Sequence, residues 1–215
     1  MPDEPPAPAE DDAAARSRGP YAKGLARRQQ ILDRAIEVFA RRGSEGTSLR
    51  SIAKEIGVSH AALTHYFTSR EHLLVEVYKE AERRNDRDSP HDAAASAVDV
   101  MARSASRNHA VPGLVQLYST LVAAALEPGH VDATEFATAR FARVRVDLAA
   151  RVRNDQVAGL IRADIDPGTV ASLVIAASDG LQAQWMLDET VPQSEALDLL
   201  ARLLLPEHPP RPGEA

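Results

Sequence analysis

The sequence lacks cysteine, has few aromatic residues and contains no long apolar run. Because none of its 215 residues is cysteine, the chain has neither a disulfide nor a cysteine-based zinc site, and a reducing compartment fits it. No apolar segment approaches the roughly 20 residues that a membrane-spanning helix requires. The N-terminus is acidic and proline-rich, whereas a signal peptide is basic and apolar. These absences predict a soluble, cytoplasmic protein.

The motifs of several enzyme classes are also missing. The chain has no HExxH sequence, no GxSxG sequence and no glycine-rich phosphate loop. None of its seven histidines is paired with another at the i, i+4 spacing of a helical metal site. The sequence therefore predicts no catalytic residue, no metal site and no cofactor, and we expect no enzymatic activity.

Charge is distributed unevenly along the chain. Residues 1–15 carry five acids and no base, residues 16–87 carry 15 bases against 9 acids, and residues 88–215 carry 10 bases against 17 acids. A basic block inside a chain of net charge -6 is either the footprint of a nucleic-acid-binding surface or an ordinary solvated helical surface.

Apolar spacing and proline positions together predict an all-α fold. Ile31, Leu32, Ala35, Ile36 and Phe39 follow the 3.6-residue period of a helix, and no segment alternates as a strand hairpin does. Prolines recur at helix-like intervals, as joints between helices, at Pro90, Pro112, Pro128, Pro167, Pro192 and Pro206. The proline-rich ends, residues 1–20 and 207–215, are predicted to be disordered.

The stretch GTSLRSIAKEIGVSHAALTHYF, residues 46–67, predicts two short helices joined by a tight turn. Thr47 or Ser48 caps the first helix, and Ser59 caps the second. Gly57 supplies the positive φ of the turn. The second helix turns Leu63 inward, and it leaves a polar outer face at His60, Ala61, Thr64, His65 and Tyr66.

This arrangement is typical of a helix-turn-helix, whose outer face contacts DNA. Hydroxyls and imidazoles exchange hydrogen bonds with base edges and phosphates, and the small Ala61 permits close approach. The alternative is a corner between two helices with a solvated face. The basic segment just before the first helix, residues 16–28, is either an arm that reaches DNA or a solvated tail.

The segment Arg27–Leu74 resembles the DNA-binding domain of the TetR family of bacterial transcriptional regulators. The resemblance is carried by the first apolar stripe, by Gly57-Val58-Ser59, by Phe67 and by Arg70 followed by Glu71. It implies a helix-turn-helix DNA-binding domain over residues 21–87, with the motif itself at 48–67. It also implies a C-terminal helical domain over residues 88–206 that dimerises and often holds a small ligand. In this domain Val144, Leu148 and Val152 are expected on one face of a long helix. Wide apolar faces over residues 169–188 and 193–205 predict the dimer contact, with Leu181 and Leu200 in it.

The same resemblance implies a set of DNA contacts. Thr47 and the helix start behind it would touch phosphate, and Arg70 would lie near another phosphate. Thr64 stands where the family usually has tyrosine, which puts any borrowed base preference in doubt, whereas Arg70 replaces a lysine and keeps the charge. The predicted DNA-binding residues are Thr47, Ser48, Arg50, Ser59, His60, Ala61, Thr64, His65, Tyr66 and Arg70.

A ligand cavity is expected between helices of the second half. Aromatic residues at helical spacing usually belong to the core, but an apolar cavity with one or two polar groups is a common ligand site. The candidate lining residues are Met101, Gln116, Tyr118, Phe136, Arg140 and Met186.

These observations predict a homodimeric repressor that binds a palindromic operator in double-stranded DNA and is released by a small-molecule effector. The first alternative is a non-inducible DNA-binding protein with the same fold, in an architectural or activating role. The second is an all-α enzyme with a vestigial DNA-binding head. The sequence specifies neither the effector nor the operator.

Overall fold

The computed structural model describes residues 11–42, 48–88 and 94–206, and within these ranges every regular element is an α-helix. The predicted all-α fold is confirmed. The elements, in chain order, are α1 (Asp11–Arg42), α2 (Leu49–Glu55), α3 (His60–Tyr66), α4 (Arg70–Asp88), α5 (Ala97–Asn108), α6 (Pro112–Ala125), α7 (Val131–Val157), α8 (Pro167–Leu187) and α9 (Gln193–Leu203).

The first helix begins earlier than the sequence predicts. Residues 11–20 were expected to be disordered, but α1 starts at Asp11 and runs through them. Three consecutive alanines, Ala13 to Ala15, have the highest intrinsic helix propensity and extend the helix toward the N-terminus. The other residues of the predicted tails, 1–10 and 207–215, lie outside the described ranges.

One hydrophobic core joins the helix-turn-helix to the second half of the chain. Phe39 of α1, Leu63 of α3 and Phe67 are fully buried, and they belong to the same cluster as Leu117 of α6 and Phe136 of α7. The sequence prediction divides the chain near Arg87, in the last turn of α4, whereas the first core continues from the helices before that point to the helices after it.

A second core lies at the other end of the molecule. It joins α5, the C-terminal half of α7, α8 and α9, and its buried centre includes Leu148, Val152, Val174 and Leu197. The predicted stripe along α7 is confirmed here, because Val144, Leu148 and Val152 all pack into this cluster.

Helix α4 is tied to α1 by charged side chains. Glu80 of α4 is buried and accepts hydrogen bonds from Arg83, Arg84 and Gln29, the last at 2.8 Å from Nε2 to Oε1. Burial acts to raise the pKa of Glu80, but these hydrogen bonds outweigh it and hold the pKa below the usual glutamate value. Further along the same contact, Arg28 of α1 pairs with Glu76 of α4.

The N-terminus of α4 is fastened to the start of α7. Glu71 accepts hydrogen bonds from the backbone N–H of Ala133 at 2.9 Å and from Nδ1 of His130 at 2.5 Å. Ser69 Oγ donates to a carboxylate oxygen of Asp132 at 3.1 Å. Helix α4 thus contacts the second half of the chain near its start, through Glu71, and near its end, where Glu82 accepts from Arg140 of α7. It also packs on α6.

Within the described ranges, no helix combines the length and the apolar character that crossing a membrane requires.

Candidate nucleic-acid interface and cavity

Two serines and one glycine set the local geometry of the helix-turn-helix. Ser48 caps α2 by accepting from the backbone N–H of Ser51 at 3.1 Å, in a capping box with Ser51. Ser59 caps α3 by accepting from the N–H of Ala62 at 3.1 Å. Gly57 has φ +70°, a backbone conformation that side chains disfavour. The predicted caps and the predicted turn glycine are confirmed.

An arginine of α1 holds this turn in place. Arg34 Nη1 donates to the carbonyl oxygen of Ile56 at 3.0 Å, where α2 ends. A Cβ atom on Gly57 would approach the same nitrogen to 3.3 Å, so the turn and the arginine fit closely. The sequence pattern did not reveal this contact, because the two partners lie 22 residues apart.

The outer face of α3 presents hydrogen-bonding groups to solvent. Ser59, His60, Ala61, Thr64 and His65 are all exposed, as the sequence predicts. The hydroxyl of Thr64 contacts the carbonyl oxygen of His60 at 3.1 Å, so its lone pairs stay accessible.

Tyr66 is the exception to the predicted outward set. It is half-buried and packs against the first core, while its ring meets that of His65 edge-on at a centroid distance of 4.9 Å. Tyr66 therefore contributes to the support of α3 as well as to its surface.

The remaining predicted DNA-binding residues flank this face. Ser48 and Arg50 are exposed at the start of α2, and Arg70 is partly buried where α4 begins. Thr47 lies outside the described residues. The arrangement can place hydroxyl, imidazole and guanidinium groups along one surface, which suits base edges and phosphates.

A cavity of about 320 Å³ opens between α4, α5, α6, α7 and α8. Its wall is mixed: Met101, Leu114, Val115 and Val144 are apolar, whereas Arg107, Asn108 and Gln182 are polar. The cavity lies between the two cores and reaches α4, the helix that follows the DNA-binding motif.

A buried chain of polar groups crosses one end of the cavity. Arg140 Nη1 donates to the hydroxyl of Tyr118 at 3.0 Å, and this hydroxyl donates to a carboxylate oxygen of Asp179 at 2.9 Å. Arg140 Nε donates to Glu82 of α4 at 3.1 Å. The ring of Tyr78, also on α4, stacks on that of Tyr118 at a centroid distance of 5.2 Å.

Burial shifts the pKa values of the polar groups at this end of the cavity. It raises the pKa of Tyr78 to about 12 and also raises the pKa values of Tyr118 and Asp179. For Arg140, burial acts to lower the pKa, but Tyr78, Tyr118 and the carboxylates outweigh it, so the pKa stays above the ordinary arginine value. Both phenols are neutral and the guanidinium is charged at neutral pH.

Three of the six predicted lining residues reach the cavity and three do not. Met101, Tyr118 and Arg140 line it. Phe136 is buried beside it, edge-on to Tyr78 at 5.5 Å, while Met186 contacts Ser119 and Gln116 is half-buried on α6. Phe136 and Met186 share a helix face with the lining residues Arg140 and Gln182, but each lies one turn beyond the cavity. Gln116 instead faces another side of α6.

The sequence pattern missed the contribution of α4 to this site. Tyr78 and Glu82 line the cavity, although neither was among the predicted lining residues. Tyr78 belongs to the apolar stripe of α4, so its spacing resembles that of an ordinary core residue.

A row of large apolar side chains is exposed on α8 and α9. Leu173 and Leu187 of α8 are 51% and 90% exposed, and Leu199 and Leu203 of α9 are 50% and 66% exposed. Ala176 and Gly180, both exposed, keep the intervening part of α8 narrow. The predicted contact residues Leu181 and Leu200 instead pack partly into the second core.

Residues 31–77 match the family model for bacterial regulatory proteins of the tetR family. The HTH-type transcriptional regulator PksA of Bacillus subtilis (strain 168) is 47% identical over 53 residues, which cover 25% of this chain and 26% of PksA. The match therefore spans about a quarter of that relative. The HTH-type transcriptional regulator UidR of Escherichia coli (strain K12) is 28% identical over 167 residues, 73% of this chain and 80% of UidR.

The fold is also that of a solved complex described as SmeT-Triclosan. The two structures superpose with a TM-score of 0.63 and 21% identity, over 87% of this chain and 96% of the other. The matched region 31–77 contains the turn, the caps and the exposed α3 face described above, and the fold similarity extends through the helices that enclose the cavity. Residues 31–77 therefore belong to the helix-turn-helix DNA-binding domain of the TetR family of bacterial transcriptional regulators.

Proposed function

We propose that the protein is a dimeric, sequence-specific repressor that a small ligand releases from its operator. The observation that carries this proposal is the exposed α3 face, on which Ser59, His60, Thr64 and His65 stand together without an apolar partner. The buried residues of the first core hold α3 in place from behind, so the hydrogen-bonding groups of the α3 face are preorganised for a groove of DNA.

DNA contact divides into two kinds. Arg50 and Arg70 flank α3 and suit phosphate oxygens, which position a protein without reading sequence. His60, Thr64 and His65 lie between these flanks and suit base edges in the major groove. The first group would set overall affinity and its salt dependence, and the second would set the preferred sequence.

Dimerisation supports the use of a palindromic operator. The four exposed leucines of α8 and α9 form an apolar surface that a second copy would cover by two-fold symmetry. A two-fold dimer places its two α3 helices symmetrically, so each half of the operator would carry the same sequence.

Ligand control is supported by the position of the cavity. Two of its lining residues, Tyr78 and Glu82, belong to α4, which begins three residues after Phe67, the C-cap of α3. The fold neighbour solved as a SmeT-Triclosan complex contains a small molecule. A ligand in the cavity of this chain would act by favouring a dimer whose α3 helices no longer fit the operator.

The size of the required effect is modest. A ligand that binds one dimer state about 100-fold more tightly than the other shifts their balance by about 2.7 kcal/mol, within the usual range of allosteric coupling. By linkage, the operator must weaken ligand binding by the same factor.

The test begins with selection of bound duplexes from a random pool by the full chain. Fluorescence anisotropy then compares the selected duplex with a shuffled one over a range of salt concentrations. We expect preference for the selected duplex and a steep loss of affinity with salt on both. Equal affinity for the two duplexes at every salt concentration would contradict the proposed function.

A further inference from the structure

We propose that the effector of this cavity is a small organic acid, with an apolar body and one anionic group that binds Arg140 in competition with Glu82. The inference rests on the proposed function, because it names the ligand class of that same regulatory cavity. Four features of the cavity carry it: the unused donors of Arg140, the occupied aromatic faces, the balance of charge and the apolar wall.

Arg140 lines the cavity with part of its guanidinium unused. A guanidinium has five N–H donors, and Arg140 uses one on Nε for Glu82 and one on Nη1 for Tyr118. Across the described part of the chain, Nη2 has no hydrogen-bond partner. The edge formed by Nη1 and Nη2 can therefore hold a carboxylate through two parallel hydrogen bonds. Only 15% of the side chain is exposed, so such a bond would form away from bulk water.

The aromatic faces of the cavity already hold a cation. The guanidinium carbon of Arg140 lies 4.5 Å from the ring centroid of Tyr118 and 5.8 Å from that of Tyr78. A cationic ligand would need these same faces and would meet the charge of Arg140 there. The geometry therefore disfavours an organic cation at this end of the cavity.

The charge of the wall also favours an anion. Its arginines are Arg107, Arg140, Arg143 and Arg151, and its carboxylates are those of Glu82, Asp86 and Asp147. Arg143 pairs with Glu82 and Arg151 pairs with Asp147, whereas Arg107 makes no ion pair with any described residue. Arginines thus outnumber carboxylates by four to three among the lining residues, and the Asp179 carboxylate, which lies outside the lining, accepts from the hydroxyl of Tyr118. A ligand with one negative charge would balance the excess charge of the lining.

The rest of the wall limits the ligand to a compact apolar body. Val100, Met101, Leu114, Val115 and Val144 supply aliphatic surface opposite the polar chain. The volume of about 320 Å³ lies at the lower end of the range for ligand sites, about 300–1,000 Å³. An aromatic or branched aliphatic acid fits both the size and the single charged end.

Glu82 connects ligand charge to α4. It accepts hydrogen bonds from Arg140 and from Arg143 at 3.1 and 2.5 Å, so α4 is held against α7 by two arginines on one carboxylate. An anion bound to Arg140 would share the guanidinium with Glu82. The two negative charges would then lie close together and repel each other. Ligand binding would thus weaken the contact between α4 and α7, and α4 is the helix that follows the DNA-binding motif.

The experiment uses paired probes with the full chain. Isothermal titration measures binding of aromatic and branched aliphatic carboxylates, each compared with its own primary amide, which has the same shape without the charge. The fluorescence of Trp185, the sole tryptophan, gives a second readout, since its ring stacks on His109 at 4.2 Å next to the cavity residue Asn108. We expect at least one acid to bind about tenfold or more tightly than its amide.

Two substitutions and one control assign the effect. Arg140→Gln should remove the preference for acid over amide, whereas Arg145→Gln, an exposed arginine on the same helix outside the cavity, should retain it. Glu82→Gln should increase acid affinity and reduce the effect of the acid on operator affinity. If Arg140→Gln fails to fold by circular dichroism, the acid-to-amide ratio in the wild type and in Glu82→Gln decides the question.

The outcomes separate this inference from the proposed function. If no acid binds more tightly than its amide, or if the preference survives Arg140→Gln, the inference is wrong. A neutral ligand that released the selected duplex would then leave the proposed function intact. An acid that bound through Arg140 without weakening the duplex complex would contradict the coupling through Glu82 and the ligand-controlled release.

Discussion

Glu80 is a buried carboxylate that holds α1 against α4. It receives hydrogen bonds from Gln29 across the helix contact and from Arg83 and Arg84 on its own helix. Only 7% of its side chain is exposed, so its charge depends on these donors rather than on water. The consequence is a pKa below the ordinary glutamate value despite the burial.

Glu80→Gln should therefore destabilise the protein at neutral pH by about 1.5–3 kcal/mol, the range for hydrogen bonds to charged groups. The depressed folded-state pKa means that the contribution is complete above the unfolded-state value of 4.5 and is lost as pH falls through the folded-state pKa. Denaturant unfolding of wild type and variant between neutral pH and pH 3 measures it. The difference in unfolding free energy between the wild type and Glu80→Gln should become smaller below pH 4.5.

Glu37→Gln is the matched control, because Glu37 is exposed on α1 and makes no ion pair with any residue that the structure describes. It should change stability little at any pH in the same series. A gap for Glu80→Gln that stayed constant from neutral pH to pH 3 would show that charge is not the cause.

His65→Ala tests base reading by α3. His65 is exposed and its loss removes no buried contact, unlike the loss of Tyr66. We expect binding to the selected duplex to weaken by about 1–3 kcal/mol, with a smaller loss on shuffled DNA. Anisotropy titrations on the two duplexes give both values. An equal loss on both would assign His65 to phosphate.

Local rules predicted single residues well, and long-range partners poorly. The caps at Ser48 and Ser59 and the positive φ of Gly57 follow from the few residues around each, so the sequence was sufficient. The partner of Arg34 lies 22 residues away, and the partner of Gln29 on α4 lies 51 residues away. No spacing rule indicates which polar residues of two separate helices will meet.

The helices α8 and α9 illustrate the same limit for whole elements. Their apolar character was predicted, but each has apolar residues on more than one side. Leu197 faces the core of its own chain, whereas Leu199 and Leu203 face outward. Periodicity identifies the apolar sides of a helix, but it does not indicate which side packs against the core of its own chain. It therefore predicted Leu181 and Leu200 in the dimer contact, although both pack partly into the second core.

Leu187→Glu and Leu199→Glu should convert a dimer into monomers, because each would bury a charge in the proposed contact between α8 and α9 of two copies. Sedimentation velocity at micromolar concentration measures the state of the protein. Affinity for the selected duplex should fall in parallel, since one half-site would be lost.

Val146→Glu is the control for this prediction. Val146 is 71% exposed on α7, yet it belongs to neither α8 nor α9. We expect it to remain dimeric and to bind the selected duplex like the wild type. A wild-type protein that sedimented as a monomer would contradict the proposed assembly.

The molecule as a whole combines a basic block around the helix-turn-helix with an acidic second half. The excess of bases over residues 16–87 coincides with the helix-turn-helix and its flanks, whereas acids outnumber bases over residues 88–215. The sequence predicted this division of charge and the all-α class. It did not predict that one core would span α1–α4, α6 and α7, since shared packing depends on helix positions in space.

The proposed function requires that the two α3 helices of a dimer lie a fixed distance apart, and changing the half-site spacing of the operator tests this requirement most directly. A two-fold dimer should read two half-sites about one DNA turn, or 34–36 Å, apart. Inserting five base pairs between the half-sites of the selected duplex rotates one of them by about half a turn. We predict that affinity, measured by anisotropy at fixed salt, falls by about two orders of magnitude or more. Unchanged affinity for the extended duplex would contradict the account.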